Sequence, residues 1–211
     1  NKRLAYLKIY WVVWSPPSLR LSCADSFTQE SFLLECRYTK HMELKPILFS
    51  IDPGSRVTGV AVFVGDTLLD WQLIKVPASK NPVERCLNMC SAVETVIGGI
   101  LENIDGGDRT VTLIVETPGG QNSPHARGLV TLGMAVGMII AYMTALGYRV
   151  VTVNAGEWTR MGGGRCKSKA VRAEKIRELY PNTYESSKDK SLDGADAIGI
   201  GTWFLGLFSK E

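Results

Sequence analysis

The sequence predicts an α/β domain: a mixed central sheet, three antiparallel strands followed by parallel ones, with helices on both faces. Three observations carry this. Three β-type segments separated by short turn signals come first, over 47–76. Segments of helical period then alternate with strands, the pattern that builds helices onto a sheet. The chain, at 211 residues with 45% apolar content, is long enough to bury a core of ordinary size.

The elements follow in order. Ile47 to Ile51 is an apolar strand that delivers Asp52 onto Pro53-Gly54. Proline fixes one φ and Gly54 can take a positive one, so that the chain reverses and Val57 to Val64 returns as the partner strand. Gly65-Asp66 marks a second turn, and Thr67 to Val76 a third strand. Asn81-Pro82 reads as an N-cap and first helical residue. It opens an amphipathic helix over 82–104 with Val83, Leu87, Cys90, Ile97, Leu101 and Ile104 as its apolar positions, ended by Gly106-Gly107. Thr110 to Val115 is a β-branched run typical of a strand buried on both faces, and it ends in Glu116.

Ser123-Pro124 repeats the cap-plus-proline device and starts a long helix to Leu146, closed by Gly147. Its apolar face is Leu129, Leu132, Val136, Ile139, Ile140, Met143 and Leu146. The small residues Gly133, Gly137, Ala141 and Ala145 form a stripe that suits either close packing on the protein's own sheet or a subunit interface. Tyr148 to Val153 is a fifth strand, and a short helical or turn segment starts at Glu157-Trp158. Then come the loop Gly162-Gly163-Gly164, a basic helix from Ser168 to Leu179 stopped by Pro181, and a last helix from Leu192 to Phe208 carrying Asp193 and Asp196.

Net charge is +3, and residues 1–41 supply all of it with six Lys/Arg against three Asp/Glu; the other 170 residues hold 18 of each sign. A nucleic-acid footprint must therefore be local. Five cysteines (Cys23, Cys36, Cys86, Cys90, Cys166) form no CxxC pair, which argues against a disulfide framework or a zinc knuckle and suits a reducing, cytoplasmic setting. The apolar run Leu4 to Trp14 is far shorter than the roughly 20 residues that span a bilayer, so no membrane partner is expected. Met42 stands five residues before the first strand, so residues 1–41 are expected to be an N-terminal extension and 42–211 the domain.

Acidic residues supply the chemistry. Asp52 and Glu116 each end a hydrophobic strand, a position that makes sense when something cationic sits opposite. Asp193 and Asp196 are three apart, so on a helix they point the same way, with Ile200, Trp203 and Leu207 continuing that side as an apolar face. Two carboxylates aimed at a core repel unless a cation lies between them. Taken singly, the first is also an ordinary turn sequence and the pair an ordinary solvated helix start. Together they describe an all-oxygen site suited to Mg²⁺ or Mn²⁺. His41 lies outside the core and His125 at a helix end, so neither is a candidate ligand.

The order Asp-Pro-Gly-Ser-Arg-Val-Thr-Gly from Asp52, Val-Glu at a strand end, and Asp-Gly-Ala-Asp-Ala from Asp193 resembles the RuvC family of Holliday-junction resolvases over residues 47 to about 208. The resemblance implies an RNase H-like fold and a metal-binding, catalytic tetrad of Asp52, Glu116, Asp193 and Asp196. It also implies cleavage of four-way DNA junctions by paired symmetric nicks, in recombination and repair or phage DNA processing, by a homodimer. Lys167 and Lys169 fall where that family carries basic residues, while Thr202-Trp203-Phe204 replaces the polar tail of bacterial members and looks more like phage or prophage versions.

Two divalent ions per site are expected on this reading, roughly 3.5–4 Å apart, one activating water and one stabilising the leaving oxygen. Residues 156–180 carry Arg160, Arg165, Lys167, Lys169, Arg172, Lys175 and Arg177 against three glutamates. Of these, Arg160, Arg165, Lys167, Lys169 and Arg172 are candidate DNA-backbone contacts, with a solvated helix face as the plain alternative. The same acids also fit a YqgF-like RNA-processing nuclease. From other classes, an actin-like ATP-binding protein and a non-catalytic junction-binding module share parts of the pattern. No helicase partner is specified.

Overall fold

A computed structural model describes residues 45–104, 109–118, 126–160, 166 and 168–208. The expected extension 1–41, the caps at Ser123-Pro124, both histidines, the triple glycine, Arg165 and Lys167 lie outside the described residues.

Five strands form one sheet in the order β3-β2-β1-β4-β5: β1 (Ile47–Asp52), β2 (Val57–Val64), β3 (Thr67–Lys75), β4 (Val111–Thr117) and β5 (Arg149–Asn154). β1 pairs antiparallel with β2, from Ile47 opposite Val64 to Asp52 opposite Gly59, and parallel with β4, from Ile47 beside Val111 to Ile51 beside Val115. β2 and β3 are antiparallel and β4 and β5 parallel, so the mixed sheet expected from the sequence is present. The helices are α1 (Pro82–Asn103), α2 (Ala126–Ala145), the single turn α3 (Ala155–Trp158), α4 (Lys169–Leu179) and α5 (Asp193–Phe204).

Strand alternation divides the core between two faces. Ile47, Phe49 and Ile51 of β1 join Leu113 and Val115 of β4 under α1 and α2. Leu48 and Ile114 turn to the other face, under α5, with Trp158, Ile176 and Tyr184 packed around it. Asp52 and Glu116 share the parity of Leu48 and Ile114, and therefore project on the α5 side.

The N-cap of α1 forms as its sequence dictates: Asn81 Oδ1 accepts from Val83 N at 3.0 Å and Glu84 N at 3.4 Å, with Pro82 in the first turn. Asn81→Ala is expected to cost about 1 kcal/mol, read as a lower urea midpoint at unchanged slope. The expected apolar face of α1 is displaced, however. Val83 and Leu87 are exposed, and the buried residues are Cys86, Met89, Cys90, Val93 and Ile97. The same stretch supports two overlapping stripes, and packing against α2 and the sheet selects the one through Cys86 and Met89.

The structure decides two open readings of the glycines. Gly54 does not take a positive φ; among the described glycines that conformation occurs at Gly65, Gly147 and Gly206. Gly54 is required for space instead, since a Cβ there would run into the Val57 carbonyl. Thr58 pins the loop by hydrogen bonds with Gly54 N and O, both at 3.1 Å. The small residues Gly133, Gly137, Ala141 and Ala145 of α2 are exposed, and a Cβ at either glycine would meet nothing within 4 Å. They do not pack on the protein's own sheet, which is contacted by Val136, Ile139 and Met143. By length and composition alone Gly128–Ala145 could cross a membrane, with a mean hydropathy of 1.8.

Candidate active site

Helix α5 is seated on the sheet by missing side chains. A Cβ at Gly59 of β2 would enter the Asp193 carbonyl, and one at Gly201 would strike the Phe63 ring and Ser50 Oγ. At Gly194, between the two aspartates, it would stand 2.5 Å from the Trp71 ring. Ser50 Oγ donates to the Ala197 carbonyl at 2.7 Å, a buried bond that ties α5 to β1. Asp189 fixes the start of the helix: its Oδ2 accepts from Ala195 N at 2.8 Å and from Tyr184 Oη at 3.0 Å. Leu192, just ahead of Asp193, has φ 61°, a left-handed conformation that a leucine holds only when its surroundings impose it.

These constraints bring Asp193 and Asp196 over the ends of β1 and β4. Ile51 pairs with Val115, so the next residues, Asp52 and Glu116, are neighbours on adjacent strands. The cation that the sequence requires between the carboxylates is present, and it belongs to the chain. Lys169 Nζ donates to Asp193 Oδ1 at 2.7 Å and lies 2.9 Å from Asp196 Oδ2 and 4.0 Å from Asp52 Oδ2. Arg172 grips Asp196 with both arms, Nε to Oδ1 at 2.7 Å and Nη2 to Oδ2 at 3.0 Å. A cleft of about 440 Å³ opens here, lined by Asp52, Glu116, Trp158, Lys169, Arg172 and Asp196. A second, of about 380 Å³, continues past Asp193 to the loop of Ser55 and Arg56.

The electrostatics show a surplus of negative charge. Burial, then the charges of Glu116 and Asp196, push the Asp52 carboxyl well above the usual carboxylate range, and Lys169 only partly offsets them. Burial and the Asp196 charge push Glu116 up to about 7, against the opposing pull of Trp158, Arg172 and Lys169. Trp158 Nε1 is near enough to Glu116 to draw it down, yet it is a buried donor that meets hydrogen-bond geometry with no acceptor among the described residues. Trp158 is therefore an electrostatic neighbour of Glu116 and not its hydrogen-bond donor. Burial lowers the Lys169 ammonium, but the hydrogen bond to Asp193 and the charges of Asp196 and Asp52 outweigh it and raise its pKa.

A carboxyl whose pKa is raised in the folded state keeps a proton that the unfolded chain has already released, so the sign is fixed. The protein without divalent ions should lose stability as pH rises from the ordinary 4.5 to about 7. For Glu116 alone this is on the order of 3 kcal/mol. Melting curves across that window check it, and Glu116→Gln should flatten the slope.

Oxygen-only donors and an ammonium already held among three carboxylates fit a divalent cation of the Mg²⁺ class. Among the described residues no three or more His, Cys, Asp or Glu side chains are already arranged around one point to hold an ion; Lys169 stands between them. The other basic candidates separate. Arg160 is exposed, whereas Arg172 is buried, so it is an internal ion-pair partner where the sequence alone offers a DNA contact. Arg56, quoted above only as part of a motif, is exposed at the mouth of the second cleft. Asp189 had no signal beyond being an acid ahead of a helix, and its burial depends on Tyr184, five residues before it, and on Trp71, distant in sequence.

The order β3-β2-β1-β4-β5, with α5 across the central strands, is the α/β RNase H-like fold. Solved structures share it. RuvC from Thermus thermophilus is 18% identical with a TM-score of 0.54, covering 77% of this chain and 93% of its own. T. thermophilus RuvC in complex with a Holliday junction substrate is 17% identical with a TM-score of 0.56, covering 78% and 97%. The yeast mitochondrial Holliday junction resolvase Ydc2 is 10% identical with a TM-score of 0.50, covering 84% and 82%. No family model and no curated protein matches the sequence.

Proposed function

We propose that the chain is a divalent-cation-dependent endonuclease that hydrolyses phosphodiesters in branched DNA, with four-way junctions as its substrate class. One observation carries the proposal. Four acids from three distant stretches of the chain meet over the ends of the two central strands, and the chain's own ammonium is already drawn among three of them. Such a cluster is costly for the fold, as the raised Asp52 and Glu116 show, and is hard to account for without a cation to receive. Mg²⁺ or Mn²⁺ bound there would neutralise the phosphate and supply hydroxide at neutral pH. Asp52, Glu116 and Asp193 are the residues that would hold it.

The chain's own groups do the rest. Lys169, 46% exposed and on a flexible stem, can leave the carboxylates for a phosphate oxygen. Arg56 and Arg160 stand exposed, Arg56 beside the cleft, as backbone contacts that position DNA without reading its bases. The exposed small-residue side of α2 offers a close-approach face for a second copy, and a two-fold dimer suits a nearly two-fold junction. The RuvC and Ydc2 structures, one with a junction, support the substrate class by fold. A labelled four-way junction with and without Mg²⁺ tests the reading, alongside linear duplex and structured RNA. Paired symmetric nicks that need Mg²⁺ are expected; preferential cleavage of RNA would move the chain to an RNA-processing role, and ATP binding without cleavage would end the proposal.

A further inference from the structure

The four carboxylates are not equivalent. Asp52 and Asp193 side chains are 18% and 21% exposed, whereas Asp196 is 4% exposed and both of its oxygens are engaged. Arg172 takes one with Nε and the other with Nη2, and Lys169 adds a third contact. Arg172 is itself built in. Its side chain is 9% exposed, Nη1 donates to the Cys166 carbonyl at 3.1 Å, and the guanidinium lies 5.1 Å from the Trp158 ring centroid. A guanidinium keeps its charge at any relevant pH, and this fork is held in place from three sides. Lys169, half-exposed, has no such restraint.

Charge counting then bears on how many ions the site takes. Asp52, Glu116, Asp193 and Asp196 bring four negative charges when ionised, and Arg172 and Lys169 return two. One divalent ion brings the sum to zero. Without DNA a second would leave the site positive, and with or without DNA it would have to share Asp196 with a guanidinium that cannot withdraw. Like charges so close in a partly buried site repel strongly.

We propose that Arg172 is a resident cation standing where a second metal ion would otherwise be held: it saturates Asp196, so the site takes up a single divalent ion through Asp52, Glu116 and Asp193. This rests on the reading of the site as a metal-dependent nuclease and revises the two ions expected from the sequence. Arg172 acts through Asp196 and is a positioning residue.

Titration of the full chain with Mn²⁺, followed by the loss of the free-ion electron paramagnetic signal, tests it, both alone and with saturating junction DNA. A single bound ion per chain is expected, and two ions or none would overturn it. Arg172→Lys, which keeps the charge, should keep the single ion. Arg172→Gln, checked for native circular dichroism, should free Asp196 and take up a second ion; a folded variant with one ion at unchanged affinity counts against the proposal. If that variant does not fold, the wild-type count decides. Cleavage measured in parallel keeps the two readings apart. Two bound ions with junction cleavage overturn the resident cation alone, and one bound ion with no cleavage of any nucleic acid overturns the nuclease.

Discussion

Asp52→Asn is expected to abolish the proposed junction cleavage while leaving junction binding within a few fold of the unsubstituted protein. Asp52 ends the central strand β1, and its Oδ2 lies 4.0 Å from the ammonium that marks the place of a cation. Asparagine has the same size and one carbonyl oxygen, but no charge with which to hold a divalent ion. A loss of roughly a thousandfold or more in rate is expected, equivalent to about 4 kcal/mol of transition-state stabilisation. Binding should survive, because removing a negative charge does not weaken contact with phosphates. The same substitution should raise the melting temperature without divalent ions, since burial and the charges of Glu116 and Asp196 make the Asp52 carboxylate unfavourable in the fold. A variant that is inactive, tight-binding and more stable separates a lost metal ligand from a damaged fold. Wild-type cleavage by Asp52→Asn would remove the site assignment altogether.

Much of this was legible in the sequence because each cue is local. The apolar runs in 47–64, the proline-led start of α1 and the glycine ends of β2 and α2 need nothing beyond their neighbours in the chain, and they mark the elements within a few residues. Asp52 and Glu116 stood out for a different reason: a carboxylate at the end of an apolar strand is out of place unless it has a task. What could not be read depends on distant partners. Arg172 looks like any base on a polar helix until Asp196, 24 residues on, is placed beside it. Asp189 acquires its role from Tyr184, Trp71 and the turn of α5. Whether the small stripe of α2 faces inward or outward is undecided by periodicity, since the larger residues alone choose the side that meets the sheet. Cys86 in place of Leu87 on the buried face of α1 is the same lesson at one-residue resolution.

Gly59→Ala should be among the most damaging single-methyl changes to the fold, and it tests how the two helix acids reach the site. Gly59 lies opposite Asp52 on β2, and its own backbone is not left-handed, so alanine meets no conformational penalty there. The penalty is steric, because the new Cβ would enter the Asp193 carbonyl and press on the Ala197 methyl. Backbone cannot rotate out of the way as a side chain can. The first turn of α5 has to lift, straining the Ser50–Ala197 bond and opening the contact of Gly201 with Phe63. Overpacking of this kind costs about 3 kcal/mol. A displacement of about 1 Å at Asp193 and Asp196 should lower cleavage by roughly a hundredfold. Gly98→Ala is the matched control: a Cβ there meets nothing within 4 Å, on the helical interior of α1. It should stabilise by up to about 1 kcal/mol through helix propensity alone. The same methyl group thus changes stability in opposite directions at two glycines, and urea unfolding of the pair measures both. Equal stability for Gly59→Ala and the unsubstituted chain would mean that α5 does not rest on β2 at that point, and the convergence of Asp193 with Asp52 would lose its support.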